Sequence, residues 1–142
     1  MSSSLPSQEV RRLVAAARTA RERAYAPYSG IRVGAAVLTE DGHLYGGANI
    51  ENASYGLSNC AERTAIFKAV SEGHPDIRAI AIVTVDRDLS YPCGACRQVM
   101  LQFGPHMEVV LSSLRSHPRR MRLSALLPHP FPPEHLRRDA PS

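Results

Sequence analysis

The sequence predicts an α/β fold, a three-layer α/β/α sandwich around a mixed central sheet of about five strands. Three observations carry this. Apolar residues at helical spacing open the chain, an alternating hairpin follows, and two later stretches read strand, helix, strand, the pattern of right-handed parallel crossovers. At 142 residues the chain is sized for one domain. Its core spans about 8–127, followed by a Pro- and Arg-rich C-terminal tail over 128–142.

Val10, Leu13, Val14 and Ala17 predict an amphipathic helix from Ser7 to Ala24, with Ser7 as its N-cap and Pro27 beyond its end. Ile31, Val33, Ala35 and Val37 then alternate up to the turn pair Asp41-Gly42, and Leu44 begins a return strand, a β-hairpin. The polar stretch from Gly46 to Ser58 has neither period and reads as a functional loop with a short extended start. A second helix is expected from Cys60 to Glu72, stopped by Gly73. Ile77–Val85 is apolar on both parities, as a central strand covered on two faces should be. A third helix runs from Cys93 to Phe103 before Gly104-Pro105, and Val109–Leu111 forms another strand. Beyond it the pattern thins to one expected helical turn at Ser124–Leu127.

Hydrophobic residues make up 44% and charged residues 21%, which excludes a disordered or fibrous chain. No apolar run approaches the ~18 residues of a membrane span, and the N-terminus lacks a basic and apolar leader, so the expected location is the cytoplasm. The net charge of +4 resides in the last 28 residues, where six arginines face Glu134 and Asp139. Such a segment either attracts nucleic acid or is a solvated tail; the absence of interleaved aromatics favours the tail. His43, His74, His106, His117, His129 and His135 have no ligand spacing, and each is expected in solvent.

Cys60, Cys93 and Cys96 all fall where helices are expected to begin, positions that favour the thiolate. Cys60 as a small core residue and Cys93-Gly94-Ala95-Cys96 as a redox dithiol are alternatives. A disulfide would strand the third cysteine, whereas three thiolates fill three tetrahedral positions of Zn²⁺ and leave the fourth for water, an open catalytic site. Glu62 reads either as the N3 member of a capping box with Asn59 or as an acid/base group beside that water. Residues two apart on a helix point roughly 200° apart, so Cys60 and Glu62 can share a site only if Cys60 is the half-in first residue.

Cys60-Ala61-Glu62 with Pro92-Cys93-Gly94-Ala95-Cys96 resembles the signature of zinc deaminases, in which the metal activates a water and a non-ligand Glu moves protons. Together with Ala26-Pro27-Tyr28-Ser29, Val33-Gly34-Ala35-Ala36, Asn49-Ile50-Glu51-Asn52 and Cys60-Ala61-Glu62-Arg63-Thr64-Ala65, the chain is similar over residues 8–136 to the small, homotetrameric zinc-dependent cytidine deaminases. The resemblance implies one Zn²⁺ per chain on Cys60, Cys93 and Cys96. It implies hydrolysis of cytidine and deoxycytidine to uridine and deoxyuridine with release of ammonia, in pyrimidine salvage. Zinc-activated water would attack C4, with Glu62 as proton shuttle.

By the same resemblance Asn49 and Glu51, which otherwise read as an ordinary polar loop, hold the ribose, and Ala61, Ile31 and Phe131 contact substrate; Tyr55 either shapes the pocket mouth against substrate or is a loop anchor. Ile31 stands where the family usually has an aromatic, and it can cover a ring face but not stack on it. Phe131 would reach a neighbouring subunit's pocket, or else anchor on its own domain. Arg63 would donate to ligand sulfurs and offset the formal charge of minus one that three thiolates leave on the metal; otherwise it is a solvated helix-face arginine. Glu51 implies free nucleosides, since a 3′-phosphodiester would lose a donor and set a phosphate against a carboxylate. Competing functions are deamination of another aminated heterocycle, such as a blasticidin-type antibiotic, and an inactive zinc- or nucleic-acid-binding module. No membrane partner is expected.

Overall fold

A computed structural model describes residues 4–84 and 89–136. The Val85 end of the expected central strand and the tail beyond 136, with two of its arginines, lie outside the described residues. Helix α1 (Ser7–Arg21) precedes strands β1 (Gly34–Thr39) and β2 (Leu44–Ala48), helix α2 (Ala61–Ser71), strand β3 (Ile77–Val83), helix α3 (Gly94–Phe103), strands β4 (Glu108–Ser112) and β5 (Arg119–Arg122), and the one-turn helix α4 (Leu123–Leu126). The sheet has the order β2-β1-β3-β4-β5. β3 and β4 pair in parallel and the other neighbours antiparallel, so the sheet is mixed.

β3 lies at the centre, as its two-sided apolar sequence requires. Ala79, Ala81 and Val83 face one side, where Leu13, Val14 and Ala17 of α1 cover them. Ile80 and Ile82 face the other, against Ala65 and Ile66 of α2 and Met100 of α3. The period-two alternation of a strand thus feeds two separate cores and makes the three layers.

Four local expectations need correction. β1 is buried along its whole length rather than alternately, because α1 covers the parity that carries Ala36 and Leu38. α1 is capped by Pro6, with no side-chain cap from Ser7, and stops at Arg21 rather than Ala24. The cause is Tyr25, whose N–H and carbonyl bond to Asn49 and Glu51 and pull the chain into an extended bridge with Ile50. α4 begins at Leu123, one residue before the expected turn.

The fourth is β5, which periodicity missed. Arg-Arg-Met-Arg offers one apolar residue, yet it pairs antiparallel with β4; a short, charged edge strand also discourages pairing with another chain. Three arginines assigned by sequence to a solvated segment are therefore sheet residues. Arg120 bonds the carboxylate of Glu108 and donates to the carbonyl of Leu5 at 2.6 Å, while the N–H of Leu5 donates to Glu108 at 3.0 Å, latching the N-terminal segment to the sheet.

Candidate active site

The site is assembled where α2 and α3 begin. A Cβ on Gly47 of β2 would lie 2.4 Å from the backbone nitrogen of Ala65, so the bare glycine is what lets α2 approach the sheet this closely. Cys60 is the N-cap of α2, with φ −73° and ψ 152°, and Ala61 is its first helical residue. This is the half-in position that lets Cys60 and Glu62 serve one site. It also removes the capping box: Asn59 lies outside the helix, and its amide donates to the Thr64 hydroxyl at 3.1 Å.

Cys93 is the N-cap of α3, and Cys96 follows in its first turn, fully buried. The sulfurs of Cys60, Cys93 and Cys96 lie within 4.8 Å of one another, and all three thiols are free. Two helix N-termini thus meet at one cluster of soft donors, both favouring negative charge. Cys60 is drawn down to about 5, first by its bond from Cys96 and then by Arg63. Cys96 is pushed the other way by the same contact with Cys60 and by burial. The protein alone thus favours one thiolate and opposes its neighbour's ionisation; a dication relieves the conflict. Three thiolates in this arrangement fit Zn²⁺ with one tetrahedral position left over.

Arg63 Nη2 donates to Cys60 Sγ at 3.3 Å, the sulfur contact expected of it, so it is not a solvated helix-face residue. Glu62 is 5% exposed. Burial raises its pKa, and the charge of Cys60 adds to the effect. A carboxyl so placed readily holds a proton, as a shuttle must.

Glu62, Cys60, Cys93 and Ala61 line a cleft of about 360 Å³ that opens beyond the carboxyl end of β3. Ile31, Asn49 and Glu51 line it as well. Asn49 accepts from the N–H of Val33 and donates to the carbonyl of Ile31, both at 2.8 Å. Glu51 accepts from the N–H groups of Tyr28 and Ser29 at 2.9 and 3.1 Å and from the Ser29 hydroxyl, and these bonds lower its pKa. Both side chains therefore hold the 28–33 segment in place as one wall of the cleft.

Tyr55 and Phe131 are not among the residues lining the cleft of their own chain. Both are exposed, Tyr55 on a 3₁₀ turn and Phe131 held by a bond from Gln98 to its carbonyl at 3.1 Å. Sequence reasoning missed Thr84, Ser90 and Tyr91 as lining residues. Tyr91 adjoins the Pro92-Cys93 motif, and that adjacency was the available signal; Thr84 enters only because β3 ends at the cleft. His43, His106, His117 and His129 are exposed as expected; His74 is the exception, half-buried and stacked on His43 beside Asp41, while the His135 side chain lies outside the described residues.

Residues 7–113 match the family model described as cytidine and deoxycytidylate deaminase zinc-binding region. A cytidine deaminase of Halalkalibacterium halodurans is 52% identical over 87% of this chain and 95% of its own length. One from Sporosarcina psychrophila is 47% identical over 90% and 95%. The crystal structure of cytidine deaminase from Burkholderia pseudomallei superposes with a TM-score of 0.82 at 50% identity, covering 85% of this chain and 98% of that one. With three sulfurs and an adjacent buried carboxyl in the matched region, the chain belongs to the zinc-dependent cytidine deaminase family.

Proposed function

We propose that this protein hydrolyses free cytidine and deoxycytidine to uridine and deoxyuridine, releasing ammonia. The observation that carries the reading is Glu62, a buried carboxyl that shares a cleft with Cys60 and Cys93, two residues after Cys60 and adjacent to Arg63. Cys60, Cys93 and Cys96 would hold a Zn²⁺, which would supply the Lewis acidity that lets a water ionise near neutral pH. Glu62 accepts that water's proton and passes it to N3 of the pyrimidine, which makes C4 electrophilic. The hydroxide adds at C4. Glu62 then takes the proton of the new C4 hydroxyl and delivers it to the amino group, and as the C4 carbonyl forms the C4–N bond breaks to release ammonia.

The remaining roles follow the walls of the cleft. Ile31 covers one face of the base, and Ala61 contributes at the mouth of α2. Asn49 and Glu51 take the ribose: each keeps hydrogen-bonding capacity beyond its bonds to the 28–33 segment, since a carboxylate has about four acceptor sites. This favours nucleosides over polynucleotides, and the same pair disfavours the blasticidin-type reading. Arg63 offsets the negative charge of the thiolates. Tyr55 and Phe131, exposed in one chain, complete the site in a homotetramer, with Phe131 entering a neighbouring cleft. No helix among the described residues is long and apolar enough to cross a membrane, in keeping with a cytoplasmic enzyme.

The test is ultraviolet loss of cytidine and deoxycytidine, with and without a chelator, alongside zinc content per chain. Turnover that tracks zinc supports the reading. Full zinc occupancy with no cytosine nucleoside consumed would move the assignment to another aminated heterocycle, and an active, monodisperse monomer would remove the trans role of Phe131.

A further inference from the structure

A second group of metal-type donors lies at the other end of α2. Asp41, in the turn between β1 and β2, has one carboxylate oxygen 2.7 Å from His74 Nδ1 and the other 3.3 Å from His43 Nδ1. His74 follows α2 directly after Gly73, whose φ of +95° lets the chain reverse there. The two imidazoles stack with centroids 3.9 Å apart and planes 26° from parallel, and Tyr45 extends the stack at 5.9 Å from His74. The three residues therefore present their ligand atoms within 4.8 Å of one another, from two segments 33 positions apart in sequence.

The spacing suits a single ion. Tetrahedral bonds of roughly 2.0–2.2 Å from nitrogen and oxygen place ligands about 3.3–3.6 Å apart, and the three ligand atoms here, already within 4.8 Å of one another, reach that arrangement by small side-chain rotations. The surroundings favour a cation. A small cleft of about 150 Å³ beside His74 is lined by Glu40, Asp41 and Asp76 and by no lysine or arginine. The Tyr45 phenol is held above its ordinary pKa by burial and then by the charges of Glu72 and Asp41. Thr39 Oγ1 donates to Asp41 at 2.5 Å, which fixes the carboxylate and contributes to lowering its pKa to about 2. Both ring lone pairs reach one ion only if the stacked rings splay, a rotation about broad terminal torsions.

We propose that Asp41, His43 and His74 form a second metal site, for a divalent first-row transition ion, that clips the β1–β2 turn to the exit of α2. Two imidazoles and one carboxylate are borderline-hard donors suited to Zn²⁺, Ni²⁺ or Cu²⁺, unlike the all-sulfur set at the other end of the helix. The ion takes the Nδ1 lone pairs of the two imidazoles, whose ring protons then sit on Nε2, and by binding only the folded chain it raises the melting temperature.

The experiment is calorimetric titration of the zinc-loaded protein with Ni²⁺, with released zinc monitored and melting temperature followed. One saturable equivalent of nickel without zinc release, together with a higher melting temperature, is expected. His43→Ala, His74→Ala and Asp41→Asn should each weaken nickel binding by about tenfold or more, with parental deamination rates as the check on folding. His106→Ala, at an unrelated exposed turn, should bind as the parent does. The proposal is overturned by no saturable binding up to about 1 mM nickel, by an isotherm unchanged in a His43→Ala/His74→Ala double variant, or by release of one zinc per nickel bound.

Discussion

The two ends of α2 each gather titratable side chains, and they differ in burial. At the N-terminal end, Cys96 and Glu62 are buried, and ionising one group changes its neighbours, as the opposed shifts of Cys60 and Cys96 record. At the C-terminal end, Asp41 and His43 are more than half exposed, and water screens each charge from the next. Similar proximity therefore gives a tightly interdependent centre at one end and separable pairs at the other. Burial sets that difference, and disruptive changes should rank accordingly.

The largest effect is expected from removing zinc. A chelator should take deamination to the uncatalysed background, with recovery on adding Zn²⁺, because the three sulfurs cannot all stay ionised together without a cation; activity that survives complete zinc loss would end the buried-centre account. Next, Glu62→Gln should retain zinc and lose at least about 10²- to 10⁴-fold in turnover. Near-parental turnover at full zinc content would remove Glu62 from proton transfer.

A mechanical change between the two ends comes third. Gly47→Ala would press a methyl group against the Ala65 backbone and should cost about 1–3 kcal/mol, read as a lower urea midpoint, with activity falling as the α2 N-terminus shifts. An unchanged midpoint would mean that α2 can retreat from β2 at no cost. The smallest effect belongs to the exposed end. Asp41 is lowered from 3.8 to about 2, so its contribution to stability is present above pH 3.8 and is lost as pH falls through about 2. Asp41→Asn should flatten that part of the acid-stability curve while leaving turnover near neutral pH unchanged. Identical curves for parent and variant would show that solvent cancels the interaction.

Much of the site was legible because its signals are local. Cys60 and Glu62 lie two residues apart, Cys93 and Cys96 three, and each pair needs only one helix start to align it. Asn49 and Glu51, cleft residues proposed to take the ribose, were legible only through family resemblance, since a polar loop carries no period. Thr84 and Ser90 were not legible at all, because a place in the cleft depends on where β3 ends relative to the 28–33 segment. β5 escaped for a different reason: an edge strand's register comes from β4, and its charged side chains need no apolar alternation.

The sequence by itself determined the two-sided central strand, the helix starts that carry the sulfurs, and the carboxyl beside them, because helix and strand periods and metal-ligand spacing are properties of short segments. Only the tertiary structure decided that Arg63 turns to a sulfur, that Asp41, His43 and His74 meet, and that half the C-terminal arginines belong to a sheet. Those outcomes depend on contacts between segments distant in sequence, and such contacts are set by how layers pack rather than by any local pattern.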